Sequence, residues 1–262
     1  MRVLVTGKNG YVGSSLLSKL DSLFDFTYPN FYVGVGRDDF DLTDRKSTTD
    51  FLSKYGYFDV IIHTAICGGS RLKKDGNDVL ANNLKMFYNL MANVHRFGQL
   101  ISLGSGAELN WPSDPYGLSK LIIADTISSH SKLNNIRIFG VFDENEWDTR
   151  FIKTCLNNYK NKEPMVIHQN KLFDFIYMDD LATVIKHIIL HPDIKIIDAC
   201  YKESYTLKEI AEYINTRNNH YCEIKIENKK LGSPYVGNYK NLDGLDLIGL
   251  KQGINKVYDA IN

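Results

Sequence analysis

Thr6-Gly7-Lys8-Asn9-Gly10-Tyr11-Val12-Gly13 places three glycines three residues apart. The stretch directly follows the β-branched run Val3-Leu4-Val5. It directly precedes apolar residues at helical spacing: Val12, Leu16, Leu17 and Leu20. A strand, a glycine turn and an amphipathic helix in that order form a phosphate cradle. Gly7 permits the sharp turn out of the strand, Gly10 lets the backbone approach a pyrophosphate, and Gly13 lets helix and strand pack closely. The amides that open the helix then face the anion, with the helix dipole behind them. Gly7, Asn9, Gly10, Tyr11, Val12 and Gly13 are therefore the candidate cofactor contacts of this turn.

Working outward, the strand–helix rhythm continues. Phe31 to Val35 reads as a second strand. Phe58 to His63 reads as a third, almost wholly apolar, as a strand covered on both faces should be. Val79 to Phe97 has helical spacing, Leu100 to Leu103 reads as a fourth strand, Tyr116 to Ser128 as a helix and Ile136 to Phe139 as a fifth strand. Such alternation predicts an α/β fold, a doubly wound parallel Rossmann sheet with ligands at the carboxyl ends of its strands. Past residue 145 the rhythm loosens. Helices are expected over Trp147 to Tyr159, Asp179 to Leu190, Thr206 to Thr216 and Ile254 to Ile261, with strands at Met165 to His168 and Ile194 to Ala199. The expected division is a dinucleotide-binding domain over 1–145, with 174–200 returning to it. A small C-terminal substrate-capping lobe would comprise 146–173 and 201–262.

Bulk properties narrow the partners. The 262 residues carry 31 basic and 31 acidic side chains, so no net field favours nucleic acid or a membrane surface. Apolar runs are short, which predicts no membrane span. A strand begins right after Met1-Arg2, which argues against a signal peptide. Cys67, Cys155, Cys200 and Cys222 are far apart without a C-x-x-C pair, so neither a zinc site nor a disulfide framework is expected. Free thiols suit a reducing, cytoplasmic setting.

Two further stretches carry chemistry. After the second strand, where NAD binders offer an acid to the ribose hydroxyls, the chain reads Val35-Gly36-Arg37-Asp38. A guanidinium at Arg37 suits a 2′-phosphate, so NADP is favoured, with NAD as the alternative. Pro115-Tyr116-Gly117-Leu118-Ser119-Lys120 contains Y-x-x-x-K. On a helix, Tyr116 and Lys120 share a face, and an ammonium favours the phenolate. Tyr116 could then exchange a proton with a carbonyl or hydroxyl at neutral pH.

The turn T-G-x-x-G-x-x-G, followed by Y-x-x-x-K, resembles the extended short-chain dehydrogenases/reductases, the branch working on nucleotide-activated sugars. The resemblance covers about residues 1–200. It implies that Tyr116 and Lys120 bind the cofactor as well as act in catalysis, that Ser105 past the fourth strand bonds the reacting oxygen, and that Asp41 and Leu42 meet the adenine. His63-Thr64-Ala65-Ile66-Cys67-Gly68-Gly69 resembles the family's H-x-A-x-x-G-G turn. That likeness places Ala65 at the cofactor and Gly68 and Gly69 at the substrate, and it matches Asn83 to a family asparagine. Arg150 and Lys171 in the expected lobe are the candidate cations for the substrate's diphosphate. No metal is implied. Relatives of this kind also imply a homodimer through helices containing Asn83 and Tyr116, although the apolar stripe on Val79 to Phe97 fits burial within one chain equally.

Departures from the pattern select the chemistry. Dehydratases carry Asp-Glu where this chain has Gly106-Ala107, and GDP-fucose synthases carry a cysteine where it has Ala107. The reading that follows is NADPH-dependent reduction of the 4-keto group of a nucleotide-activated 6-deoxy-hexose. The alternatives are a 3- or 4-epimerase or bifunctional epimerase/reductase, with Cys67, His168 or Glu108 as its acid or base, and a non-catalytic NADP-binding sensor.

Overall fold

The computed structural model describes residues 1–23, 31–70, 73–217 and 220–261. In chain order the elements are β1 (Arg2–Thr6), α1 (Tyr11–Leu23), β2 (Phe31–Val35), α2 (Arg45–Tyr55), β3 (Phe58–His63), α3 (Asn77–Met91), β4 (Phe97–Ser105), α4 (Ala107–Asn110), α5 (Pro115–Ser128) and β5 (Leu133–Ile138). There follow β6 (Val141–Phe142), α6 (Phe151–Asn161), β7 (Met165–Gln169), β8 (Ile176–Tyr177), α7 (Met178–Leu190), β9 (Ile196–Ala199), α8 (Leu207–Ile214), β10 (Ile224–Asn228) and α9 (Leu250–Ile261).

Six strands form one sheet in the order β2-β1-β3-β4-β5-β9, with parallel pairing from β2 through β4. The chain leaves β1 towards β2 and then crosses back to place β3 on the other side. The strand order therefore reverses at β1, and the crevice of a doubly wound sheet opens at the carboxyl ends of β1 and β3. Two further pairs, β10 with β7 and β6 with β8, stand apart from the sheet.

The chain divides into two compact units, residues 1–137 with 182–197, and residues 138–181 with 198–262. In the first, Leu4, Leu52, Phe58, Ile61, Phe87, Leu90, Phe97 and Leu100 are fully buried together. Phe87 and Leu90 of α3 are buried in this core, while Leu80, Leu84 and Met91 are half-buried. The second unit has its own core around Phe142, Ile152, Leu156, Tyr159, Met165, Ile214 and Ile254. Each unit buries enough apolar surface to need no covalent staple, and the four cysteines are all free thiols. Among the described residues no helix is long and apolar enough to cross a membrane.

Several boundaries differ from the sequence expectation, each for a local reason. The helix predicted to run to Phe97 stops at Met91. There the Asn93 side chain donates to the Asn89 carbonyl at 3.0 Å, while the Asn93 amide turns to Leu90 at 2.9 Å. The side chain thus replaces the next backbone bond of the helix, and Phe97 enters β4 opposite Phe58. Strand β5 starts at Leu133, three residues earlier than its apolar pattern suggests. Asn134 and Asn135 are buried there because their amides are satisfied: Asn134 donates to the Pro192 and Ile194 carbonyls at 3.0 and 2.8 Å and accepts from Gln99 at 2.8 Å. The helix expected from Trp147 begins only at Phe151. Strand β10, in the polar stretch after residue 217, was invisible to periodicity because only its pairing with β7 defines it.

Candidate active site

The glycine turn has the geometry its sequence requires. Gly7 adopts φ +80°, and its amide neighbourhood is so tight that a Cβ would lie 2.7 Å from the Ala65 nitrogen. A Cβ on Gly13 would lie 2.2 Å from the Gly7 carbonyl oxygen. Gly10 donates to that same carbonyl at 2.9 Å, and α1 begins at the next residue. The first turn of α1 therefore stands directly behind the loop, and the cradle fits a dinucleotide pyrophosphate.

Beside it, the third strand's end is fixed by a buried pair. Thr6 Oγ1 accepts from the Ala65 amide at 3.3 Å and lies 2.8 Å from His63 Nδ1. Which of the two atoms donates depends on the ring's tautomer, and the buried ring is assigned the neutral form. Burial, and secondarily the Lys120 charge, depresses the His63 pKa to about 3. An unfolded His63 binds a proton below pH 6.5 that the folded one refuses. The fold should therefore lose stability as pH falls from 6.5 towards 3. Denaturant titrations are expected to show a shallower loss for His63→Gln in this window, by up to about 1.4 kcal/mol per pH unit. Parallel curves for the two proteins would contradict the assignment.

At the end of β2, Arg37 is exposed and close enough to Asp41 and Cys67 to act on their charges. Lys8 pairs with Asp39 at 2.6 Å, and Asn9 donates to Asp38 at 3.1 Å. Asp39 and Asp38 are therefore already engaged, and Arg37 is exposed beside them. Asp41 accepts from both the amide and the hydroxyl of Thr43 at 2.8 Å, which holds its carboxyl below the usual range. Asp44 caps α2 through the Ser47 amide at 2.6 Å. Leu42 is buried, and its carbonyl accepts from Asn89 at 2.8 Å.

The loop after β3 is clamped by Asn83. Its side chain accepts from the Cys67 amide at 2.8 Å and donates to the Cys67 carbonyl at 3.1 Å and to Ser119 at 3.0 Å. Gly68 and Gly69 both have positive φ, at +77° and +75°. The Gly69 amide donates to Asp75 at 2.8 Å. A Cβ on Gly69 would sit 2.8 Å from the Tyr116 ring, so this loop packs flat on that phenol.

Tyr116 opens α5. Asp114 caps the helix by accepting from the Tyr116 amide at 2.9 Å, with Pro115 in the first turn. One turn on, Lys120 is buried with its ammonium 5.9 Å from the Tyr116 ring centre. It donates to the Leu103 carbonyl on β4. Desolvation lowers the Lys120 pKa to about 8, against the opposing charge of Glu108. Ser105, the last residue of β4, is buried and accepts from the Ala107 amide at 3.2 Å. Short α4 then returns the chain to α5. Gly117 makes this possible, since a Cβ there would lie 2.0 Å from the Trp111 carbonyl oxygen. Ser105, Tyr116 and Lys120 are thereby gathered around the end of β4.

Arg150 and Lys171 lie in the second unit. Arg150 precedes α6 and reaches the buried Glu146 at 3.5 Å, whose pKa burial pushes up to about 8. The Lys171 ammonium lies over the Phe173 and Tyr235 rings at 5.2 and 5.7 Å. His168 is exposed and paired with Glu227 at 2.9 Å. Among the described residues no three His, Cys, Asp or Glu side chains gather as metal ligands. Sequence reasoning missed the Thr6–His63 pair and the Asp75 anchor, which no motif spacing marks.

Comparison with known proteins agrees with this architecture. The profile of the NAD dependent epimerase/dehydratase family matches residues 3–198. The chain is 23% identical over 270 residues to the CDP-abequose synthase of Yersinia pseudotuberculosis, covering 92% of this chain and 89% of that one. Its fold superposes on a GDP-mannoheptose C4 reductase from Campylobacter jejuni with NADP bound, with a TM-score of 0.80 at 16% identity over 98% of this chain and 97% of that one. A UDP-N-acetylglucosamine 4-epimerase from Bacillus cereus gives a TM-score of 0.75, again at 16% identity, over 100% and 96% of the two chains. With the glycine cradle and the tyrosine–lysine helix in place, the chain belongs to the NAD dependent epimerase/dehydratase family, as an NAD(P)-dependent oxidoreductase of the extended short-chain dehydrogenase/reductase type.

Proposed function

We propose that the protein reduces the 4-keto group of a nucleotide-activated 6-deoxy-hexose at the expense of NADPH. The observation that carries this reading is the grouping of Ser105, Tyr116 and Lys120 around the end of β4. Glu108 is buried and engaged by Ser105, Asn135 and Arg137. Burial pushes the Cys67 thiol up, away from a thiolate. Reduction needs one proton donor; epimerisation or dehydration needs further groups.

Gly7, Asn9, Gly10, Tyr11, Val12 and Gly13 would hold the pyrophosphate, Asp41, Leu42 and Ala65 the adenosine side, and Arg37 the 2′-phosphate. The bound nicotinamide supplies a hydride to the carbonyl carbon. Tyr116 donates its phenolic proton to the carbonyl oxygen, and Ser105 stabilises the charge growing there. Lys120 steadies the phenolate left on Tyr116 and holds the nicotinamide ribose. Gly68 and Gly69, in the loop beside the Tyr116 ring, are the proposed sugar contacts. Arg150 and Lys171, in the second unit as substrate lobe, are the proposed diphosphate contacts.

The test is loss of the near-ultraviolet absorbance of NADPH on adding 4-keto-6-deoxy nucleotide sugars. Oxidation of NADPH with one of them is expected. Solvent deuterium at C3 or C5 of the product would assign epimerisation instead. Tight NADPH binding with no turnover of any donor would assign a sensor. Arg37→Asp is expected to raise the KM for NADPH about tenfold to a hundredfold, the loss of one charge-assisted phosphate contact. The KM for NADH should change little, and an unaltered cofactor preference would remove Arg37 from the site.

A further inference from the structure

A buried carboxylate stands directly behind the proposed hydroxyl. Glu108 is 3% exposed. Its Oε1 accepts from the Ser105 amide at 3.0 Å and from Asn135 Nδ2 at 3.1 Å; Oε2 accepts from Asn135 Nδ2 at 3.2 Å and from Arg137 Nε at 3.0 Å. The charged groups facing it are Arg137 from β5 and Lys120 from α5. Burying a carboxylate costs several kcal/mol, and apolar packing of the same volume is often at least as stabilising. A pair in this position is therefore poorly explained by stability alone.

What the carboxylate touches indicates a purpose. It grips the backbone amide of Ser105, while the Ala107 amide donates to the Ser105 hydroxyl at 3.2 Å. The residue is thus held from the main-chain side and the side-chain side within one tight turn. A hydroxyl that accepts from a fixed amide has its own hydrogen directed elsewhere. Lys120, fully desolvated, has the Glu108 charge opposing that loss, beside the Leu103 carbonyl that accepts from it.

We infer that Glu108 is a positioning residue for carbonyl reduction: it fixes the Ser105 main chain so that the hydroxyl addresses the reacting oxygen, and it serves as counter-charge to Lys120. This rests on the roles proposed for Ser105 and Lys120. Glu108 itself touches neither substrate nor cofactor.

Two substitutions separate the two duties. Glu108→Gln keeps an acceptor for the Ser105 amide but removes the charge. Its alkaline limb in the kcat profile should move to lower pH than the wild-type limb near 8, because Lys120 deprotonates sooner. Glu108→Asp keeps the charge but is one methylene short of the Ser105 amide. Its limb should stay in place while kcat falls about tenfold to a hundredfold, with NADPH binding unchanged. A merely structural glutamate would lower thermal stability in both variants yet leave the limb and kcat per folded molecule alone, and that result overturns the inference. Should Glu108→Gln not fold, Arg137→Met leaves the carboxylate charge to Lys120 alone and should move the limb the opposite way, to higher pH. Titration of the Lys120 ammonium by NMR needs no substrate. A Glu108→Gln shift seen there, with no turnover by wild type, would sink the reductase reading while retaining the counter-charge. Turnover by wild type with no shift and no kcat change would sink the role of Glu108 alone.

Discussion

Tyr116→Phe is expected to lower kcat by about 10²–10⁴-fold, the usual worth of a positioned proton donor, while NADPH binding stays within about twofold. The substitution removes one oxygen and little else. The ring remains packed under Gly69, Asp114 still caps α5 through the main chain, and Lys120 still reaches the Leu103 carbonyl. Neither the phosphate cradle nor Arg37 is disturbed. Single-turnover reduction, followed beside fluorescence titration of NADPH, separates chemistry from binding. A variant that keeps more than half of its turnover would show that the proton comes from another group.

The second large effect divides two glycines that a sequence motif treats alike. Gly13→Ala puts a methyl 2.2 Å from the Gly7 carbonyl oxygen and 2.7 Å from Thr64 Oγ1. Backbone must move on one side or the other, and overpacking of this kind costs about 1–3 kcal/mol. The loop that moves is the cradle itself, so NADPH affinity should fall with stability. Gly10→Ala has a different outcome. Its Cβ would lie 3.3 Å from the Gly7 carbonyl oxygen, and its φ is not positive, so the unliganded protein should keep its melting temperature. Affinity for NADPH should still fall, because the new methyl stands where the pyrophosphate has to approach. Melting curves with and without NADPH check both. Equal destabilisation of the two unliganded variants would mean that the turn is not packed as described.

The parts of the fold legible in the sequence are those where a residue type answers a backbone demand within a few positions. The glycine turn and the Y-x-x-x-K helix are of that kind. The alternation of apolar strands with amphipathic helices likewise gave the central sheet. What escaped is set by distant partners. Asn134 and Asn135 look like loop residues until the carbonyls of Pro192 and Ile194 and the carboxylate of Glu108 come into reach. Glu108 reads as a misplaced member of an acid pair, because the spacing to Ser105 is visible but Arg137 is not. The end of α3 was missed because Asn93 imitates a helical amide with its side chain. In the second unit, β7 and β10 define each other across some sixty residues, so neither polarity nor periodicity marks the later strand.

Asp180, in the first turn of α7, accepts from the Ile248 amide at 2.9 Å, the Gly249 amide at 3.1 Å and the Tyr201 hydroxyl at 2.5 Å. On a ribosome, α7 emerges long before residues 248 and 249 are translated. Until then this carboxylate has no main-chain donors from that segment, and α9 is absent from the core it later joins. The second unit therefore completes its fold only once residues 248–261 have been translated, whereas most of the cradle is in place much earlier. Nascent chains stalled before residue 248 should accordingly depend on chaperones in a way that finished ones do not.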